Sequence, residues 1–346
     1  MQLGRAPGVT SPGRRSRVVE LDALRGLAAL AVVLFHFSTR FQAVYGHSGP
    51  LGWSVPWGQY GVHLFFGISG FVIFMTLERT VRAMDFVVSR FSRLYPGYWA
   101  AILLTTAAVQ LGGMHDLQIS LSDLLVNVTM LQNYLNARPV DGVYWTLAVE
   151  LSFYVCMFGL WRVGLIRRIE WVLIAWVGLK WAWAYLPLSY TLGQLLVQDT
   201  VPLFAIGISA YRIWSGERRW LEAGPMAGLA LLTSAALDPR PVFAAALVIA
   251  AVFAAFAAGW LGVLRARPLA WLGSVSYALY LLHENIGWTV ILRLEQAGAA
   301  PNVAVAAALA LTGLLAWAVT RFIEQPALQA IRAAWLRRKQ AVAIST

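Results

Sequence analysis

Residues 242–264 read VFAAALVIAAVFAAFAAGWLGVL, a run of 23 residues in which no side chain is charged. About 20 apolar residues in succession are enough for an α-helix to cross the hydrocarbon core of a bilayer. Only helices and closed barrels satisfy their backbone polar groups inside a bilayer, and a barrel strand would be about ten residues long with alternating polarity. The run therefore predicts a transmembrane α-helix in an all-α fold.

The composition of the whole chain agrees with this segment. The 346 residues are 59% hydrophobic and 12% charged, which is more apolar surface than a soluble core of this size can bury. The net charge of +11 would suggest nucleic acid in a soluble protein, but here the basic residues lie in short loops between apolar runs. We expect no nucleic-acid partner. Cys156 is the only cysteine, so we expect neither an internal disulfide nor a metal site.

Nine further apolar runs of similar length predict a polytopic membrane helix bundle with about ten transmembrane helices. The ten predicted helices are Leu21 to Phe41, Gly58 to Leu77, Leu94 to Gly112, Trp145 to Val163, Ile169 to Leu186, Leu192 to Tyr211, Ala223 to Leu237, Val242 to Leu264, Leu269 to Leu292 and Val303 to Phe322.

The basic residues orient this bundle. Of the 27 Lys and Arg residues, 21 fall at the chain ends or in alternate loops, on one side of the predicted membrane. Because cytoplasmic loops are enriched in Lys and Arg, we expect both termini in the cytoplasm and a multi-pass protein of the plasma membrane, the cell inner membrane. The chain then divides into a basic tail (1–20), a transmembrane domain (21–324) and a second basic tail (325–346).

Two ionisable residues share one face of the first predicted helix. Arg25 and His36 are eleven residues apart, which is about three turns and about 16 Å along a helix. A charged residue inside a membrane span costs roughly 2.5 to 3.5 kcal/mol, which makes each a functional candidate. The spacing suits a long substrate with an anionic inner end. The structural alternative is that Arg25 extends to the membrane surface and pairs with Asp22.

Two other predicted helices carry polar stripes. Thr146, Glu150 and Tyr154 recur every four residues in the fourth helix, and Glu150 should reach the depth of His36, where a carboxylate can orient an imidazole. The alternative is a structural hydrogen bond between helices. The second stripe lies in the ninth helix, shares one face and is expected to line the same cavity; it consists of Ser276, Tyr280, His283 and Glu284.

Arg90 and Arg93 stand one turn apart just before the third predicted helix. Two guanidinium groups at this spacing can hold phosphate groups through paired hydrogen bonds. The alternative is a positive-inside topology signal, and the two arginines alone do not decide between these interpretations.

Two further groups are predicted to be structural. Lys180 and Asp199 have opposite charges in adjacent predicted helices, which predicts a buried ion pair. His63 shares a face with Gly67 and Gly70, small residues that allow two helices to approach closely, and we expect a packed or water-exposed histidine there.

The chain resembles the acyltransferase 3 family of integral membrane O-acyltransferases along nearly its whole length. Each matching motif is short, but their shared order is specific. They are residues 20–29 (ELDALRGLAA) followed by His36, 61–71 (GVHLFFGISGF), 90–96 (RFSRLYP), 145–150 (WTLAVE), 276–283 (SYALYLLH) and 324–326 (EQP).

This resemblance implies transfer of an acyl group, usually acetyl, from cytoplasmic acyl-CoA to a hydroxyl of a carbohydrate, a lipid-linked glycan or another cell-envelope acceptor. On this basis we expect three arginines to hold the phosphates of acetyl-CoA, which is a donor substrate and not a permanently bound cofactor. His36 would be the general base, oriented by Glu150. An acyl-His36 intermediate fits the same residues. A transporter or flippase is the alternative function. The three arginines are Arg25, Arg90 and Arg93.

Overall fold

The computed structural model describes residues 18–345, so the basic residues at positions 5, 14, 15 and 17 lie outside the described part. Within it the chain is helical and contains no β-strand, which confirms the predicted all-α class. The helices are α1 Val19–Phe35, α2 Phe41–Val44, α3 Gly61–Glu78, α4 Ala83–Leu111, α5 Leu121–Val128, α6 Trp145–Arg162, α7 Ile169–Tyr185, α8 Tyr190–Leu195, α9 Val201–Trp214, α10 Trp220–Leu237, α11 Arg240–Ala257, α12 Arg267–Leu282, α13 Glu284–Gln296, α14 Pro301–Val319 and α15 Gln325–Ser345.

Six helical segments are long and apolar enough to cross a membrane. This finding supports a multi-pass membrane protein; the count of ten spans and the cytoplasmic location of both termini stay predictions. The six segments are Val19–Val44, Pro56–Glu78, Gly142–Arg162, Trp220–Leu237, Arg240–Ala257 and Pro301–Ala341.

Two predicted spans are wrong because each is divided in two. The span predicted from 192 to 211 is α8 and α9, separated by the polar residues Gln198, Asp199 and Thr200, with Pro202 in the first turn of α9. Proline favours the first turn of a helix because its missing N–H is not needed there. The span predicted from 269 to 292 is α12 and α13, and the helix ends and restarts at His283.

The predicted start of the third span at Leu94 is also wrong. The helix begins eleven residues earlier, at Ala83, so Arg90 and Arg93 lie inside α4 and not in front of it. Apolar runs alone set the predicted start, but the amphipathic first turns of α4 pack against α15 and are helical for that reason. Both arginines are thereby held on one rigid helix.

Glycines allow two pairs of helices to approach closely. On α1 and α12, a Cβ at Gly273 would lie 2.2 Å from the backbone oxygen of Asp22. On α3 and α9, a Cβ at Gly207 would lie 1.9 Å from the backbone oxygen of Gly67. The predicted close approach at Gly67 is confirmed, and the ring of His63 packs 5.3 Å from that of Tyr60.

The predicted ion pair of Lys180 with Asp199 is wrong. The Lys180 ammonium lies 2.8 Å from Asp238 Oδ1, and it reaches only the backbone oxygen of Asp199, at 3.3 Å. The break before α9 presents the backbone of Asp199 to the lysine, whereas Asp238 directly follows α10, which packs beside α7.

Candidate active site

His36 stands where the first helix changes its winding. Residues His36–Arg40 form a π-helical turn between α1 and α2, an irregularity that is frequent at functional sites. The backbone oxygen of His36 accepts a hydrogen bond from Trp288 Nε1 at 3.0 Å. The imidazole Nδ1 lies 2.9 Å from the backbone oxygen of Val32 and 3.1 Å from Nε2 of His283. His36 is therefore held by contacts both at its backbone oxygen and at Nδ1 of its ring.

The partners of the two imidazoles assign their protons. His283 Nδ1 lies 2.8 Å from the backbone oxygen of Tyr280, and a carbonyl oxygen only accepts, so this nitrogen carries hydrogen. In a neutral His283 the other nitrogen, Nε2, then accepts from His36 Nδ1. The remaining nitrogen, Nε2 of His36, keeps its lone pair. This arrangement leaves one basic nitrogen free to take a proton.

Glu284 is the carboxylate beside this free nitrogen. Its Oε1 lies 3.6 Å from His36 Nε2, and its side chain is 8% exposed. It also interacts with the carboxyl group of Asp141, which accepts from the backbone nitrogens of Asn285 at 3.1 Å and Val143 at 3.2 Å. We call His36, His283 and Glu284 the histidine cluster. Asp141 lies in the polar connection after α4, and no sequence pattern singled it out.

The prediction that Glu150 orients His36 is wrong in this structure. Glu150 Oε1 accepts hydrogen bonds from Ser69 Oγ and Tyr154 Oη, both at 2.5 Å. No hydrogen bond or ion pair joins Glu150 to His36 within residues 18–345. A position at equal depth on two helices does not fix which face of α6 meets α1.

The polar stripes of α6 and α12 meet in a shared lining, but only part of the second predicted stripe contributes: Ser276 and Tyr280 line the cavity, whereas His283 and Glu284 do not. Thr146 Oγ1 and Tyr280 Oη are 2.9 Å apart, and the Tyr280 ring packs 5.8 Å from that of His283. Here the two stripes enclose a small cavity of about 40 Å³, which we call the throat. Its lining includes Arg25, Phe65, Ser69, Thr146, Glu150, Ser276, Tyr277 and Tyr280.

A larger cavity of about 450 Å³, the arginine cavity, adjoins the throat. Arg25, Ser69 and Glu150 line both spaces, so the two are neighbours with a common wall. The arginine cavity brings together every residue that we predicted for phosphate binding. Its polar lining includes Asp22, Arg25, Arg90, Arg93, Glu150, Tyr154, Glu324 and Arg332.

Aromatic rings hold two of these arginines. The guanidinium of Arg90 lies 5.9 Å from the centre of the Tyr154 ring, and that of Arg93 lies 5.9 Å from the centre of the Tyr277 ring. Such contacts stabilise a cation without using its N–H groups. Arg90 Nε is buried and has no hydrogen-bond partner in the described part of the chain. Another nitrogen of the same guanidinium, Nη2, donates to Ser89 Oγ at 3.0 Å, so Nε is the donor of Arg90 that the described chain leaves without a partner.

Sequence reasoning did not identify Glu324 and Arg332 as part of this site. Glu324 ends a second π-helical turn, Thr320–Glu324, and only its place in the EQP motif gave a signal. Arg332 lay in the predicted C-terminal tail, where one more arginine only raised the positive charge.

Among residues 18–345, no group of three or more His, Cys, Asp and Glu side chains is arranged to hold a metal ion.

Comparison with known proteins agrees with the resemblance. Residues 18–321 match a family profile described as an acyltransferase domain. The chain is 25% identical to the exopolysaccharide production protein ExoZ of Rhizobium meliloti (strain 1021), over 65% of this chain and 75% of that protein. It is 26% identical to nodulation protein 10 of Rhizobium leguminosarum bv. viciae, over 96% and 98% of the two chains. It is 27% identical to the acyltransferase MdmB of Streptomyces mycarofaciens, over 79% of each. No solved structure matches.

Proposed function

Because this chain belongs to the acyltransferase 3 family, we propose that it transfers an acyl group, typically acetyl, from cytoplasmic acyl-CoA to a hydroxyl of a carbohydrate in the cell envelope. Acyl transfer follows from the family. The exopolysaccharide production protein among its relatives supports a carbohydrate acceptor. A lipid-linked glycan is one form of such an acceptor, and the plasma membrane is where acyl-CoA and envelope glycans meet.

The observation that carries this proposal is that the arginine cavity adjoins the throat and shares three lining residues with it. Arg25 lines both, and Tyr280, at the far side of the throat, contacts the ring of His283. Acyl-CoA has its phosphates at one end and its thioester at the other, joined by a thin pantetheine arm. Its phosphates fit the wide cavity, and its arm is directed toward His36. A throat of about 40 Å³ must widen to admit the arm.

His36 Nε2 is the proposed base. It takes the proton of the acceptor hydroxyl as the hydroxyl oxygen attacks the thioester carbonyl, a role that contributes about 10² to 10⁴ in rate. The resulting tetrahedral intermediate collapses with cleavage of the C–S bond. The thiolate of CoA leaves and takes the proton from the imidazolium. The products are the acetyl ester and free CoA, and His36 returns to its neutral form.

His283 and Glu284 position the base in this scheme. His283 Nε2 holds the proton on His36 Nδ1, so that Nε2 is the nitrogen that reacts. Glu284 Oε1, 3.6 Å from that nitrogen, stabilises the imidazolium formed during the reaction. Glu150 takes a different proposed role: it lines the throat beside Arg25, where it shapes the passage of the arm.

The proposal is tested with inverted membrane vesicles that contain the wild type or His36→Ala and receive acetyl-CoA labelled in its acetyl group. We expect label in the envelope carbohydrate with wild type only. His115→Ala is the matched control, because His115 is exposed in the connection after α4. Equal transfer by the wild type and His36→Ala would reject His36 as the general base. Movement of glycan across the membrane without acetyl-CoA, and with no transfer, would favour the transporter.

A further inference from the structure

The C-terminal helix α15 forms one wall of the arginine cavity. Three of its residues line the cavity, and the next two along the same face contact α4. Spacings of three and four residues place all five on one side of a helix. These residues are Gln325, Leu328, Arg332, Trp335 and Lys339. The whole helix lies beyond the matched family region, which ends at residue 321.

Asp85 at the start of α4 fixes the position of α15. Its Oδ1 accepts from Trp335 Nε1 at 2.7 Å, and the Lys339 ammonium lies 3.0 Å from Oδ1 and 3.1 Å from Oδ2. Trp335 is three residues after Arg332, so this contact sets the direction from which Arg332 approaches the cavity. A cation on a free tail would not need such an anchor.

The positive charges of the four cavity arginines are not all neutralised by neighbouring carboxylates. Within the described residues, none of them forms an ion pair with a carboxylate. Three carboxylates line the same cavity: Glu150 is hydrogen-bonded to Ser69 and Tyr154, whereas Glu324 and Asp22 lie close enough to Arg93 to attract its charge. Arg332 lies close enough to Arg90 and Arg93 for the like charges to repel. Four guanidinium groups against three carboxylates leave a net positive charge, which favours binding of an anion among them.

The arginines follow an order along the cavity. Arg25 lies at the inner end, because it also lines the throat. Arg332 is exposed, whereas the other three arginines are partly buried, and it lies near Arg90 on the wall that α15 forms. In acyl-CoA the diphosphate follows the pantetheine arm, and the 3′-phosphate of the ribose is the charged group beyond it. The exposed arginine should therefore meet the phosphate farthest from the thioester.

We propose that Arg332 recognises the 3′-phosphate of the donor, so that α15 distinguishes CoA thioesters from donors that lack this phosphate. The inference rests on the proposed use of acyl-CoA. It assigns a role to a helix that the sequence presents only as a basic tail. The inner arginines then hold the diphosphate.

The test is calorimetric binding of CoA and of 3′-dephospho-CoA to the full-length protein in nanodiscs. We expect the wild type to bind CoA more tightly, and Arg332→Ala to weaken CoA binding about tenfold, as for loss of a charged hydrogen bond. The same variant should bind 3′-dephospho-CoA as the wild type does. Arg332→Lys should recover part of the difference, because it keeps the charge.

Arg337→Ala is the matched control, since it removes an arginine from another face of the same exposed helix. It should leave both affinities unchanged. Equal weakening of both ligands by Arg332→Ala, or no weakening of either, would overturn the inference. If either of these outcomes occurs while the wild type still transfers acetyl from acetyl-CoA, only the role of Arg332 is rejected. A wild type that neither binds CoA nor transfers acetyl rejects the proposed function as well.

Discussion

The arginine cavity and the histidine cluster differ in how far their polar groups are paired. In the arginine cavity the guanidinium groups have no carboxylate partner within 4 Å in the described chain, and the space is about 450 Å³. In the histidine cluster three of the four ring nitrogens have hydrogen-bond partners. The first region has donors left for a ligand. The second leaves one nitrogen, His36 Nε2, for chemistry.

This difference separates binding from reactivity. A binding site for a charged substrate gains from open donors, because the ligand supplies the missing partners. A reacting group gains from a fixed orientation, because a small misplacement lowers the rate steeply. Substitutions in the arginine cavity should therefore change KM for the donor, and substitutions in the histidine cluster should change kcat.

The largest expected effect comes from His36→Gln, which keeps the approximate size of the side chain but removes the base. We expect kcat to fall by about 10² to 10⁴, as for loss of a general base, with little change in CoA affinity. Steady-state transfer assays combined with CoA binding measure both quantities. A loss of CoA affinity as large as the loss of rate would contradict the separation of the two regions.

Arg93→Ala should have the next largest effect, on the donor. We expect KM for acetyl-CoA to rise about 10- to 100-fold, because a buried guanidinium that holds phosphate is lost, while kcat changes less. The KM of Arg93→Lys should lie between those of the wild type and Arg93→Ala, since lysine keeps the charge but cannot form the paired contact. The assay is a titration of acetyl-CoA at a saturating acceptor concentration. A fall in kcat with unchanged KM would place Arg93 outside the donor site.

His283→Ala should lower kcat about tenfold, because His36 Nδ1 loses one of its two acceptors. His283→Gln should retain more activity than His283→Ala, since the side-chain oxygen of glutamine can still accept a hydrogen bond. The comparison of the two variants at equal folded amounts is the measurement. Equal loss in both variants would argue that His283 is needed for packing and not for positioning the base.

The smallest expected effect is that of Asp85→Ala, which touches neither region directly. It removes the anchor of α15, so we expect CoA affinity to fall only about threefold, because Arg332 remains present but less well placed. Calorimetric CoA binding checks this, with Asp123→Ala in α5 as the control, because Asp123 does not line the arginine cavity. If Asp85→Ala weakens CoA as strongly as Arg332→Ala, the anchor is as important as the arginine.

Particular residues show how far sequence reasoning reached. The cost of burying charge singled out Arg25 and His36, whereas the spacing of Arg90 and Arg93 fitted a phosphate site and a topology signal equally well. The structure places Arg25, Arg90 and Arg93 in one cavity. The stripe of α6 was identified correctly as a set, and Thr146 indeed meets Tyr280.

The partners of these residues could not be read in the same way. Glu150 and Glu284 are both carboxylates in apolar surroundings, and only one of them lies beside His36. Lys180 was predicted to pair with Asp199, but it pairs with Asp238, which lies much farther along the chain. A helical period gives the face of one helix, but the partner depends on how two helices are rotated about their axes, and the periodicity of either helix does not contain that angle.

The sequence by itself determined that the chain is an all-α membrane protein of an acyltransferase family, because apolar run length and motif order are local properties of the chain. The tertiary structure alone decided that His283 and Glu284 flank His36, that α12 ends beside them, and that Arg332 joins the arginine cavity. These facts depend on close packing at glycines such as Gly273, where an added Cβ would lie 2.2 Å from a backbone oxygen. Contacts of that kind join residues that are far apart in the chain, so no local pattern encodes them.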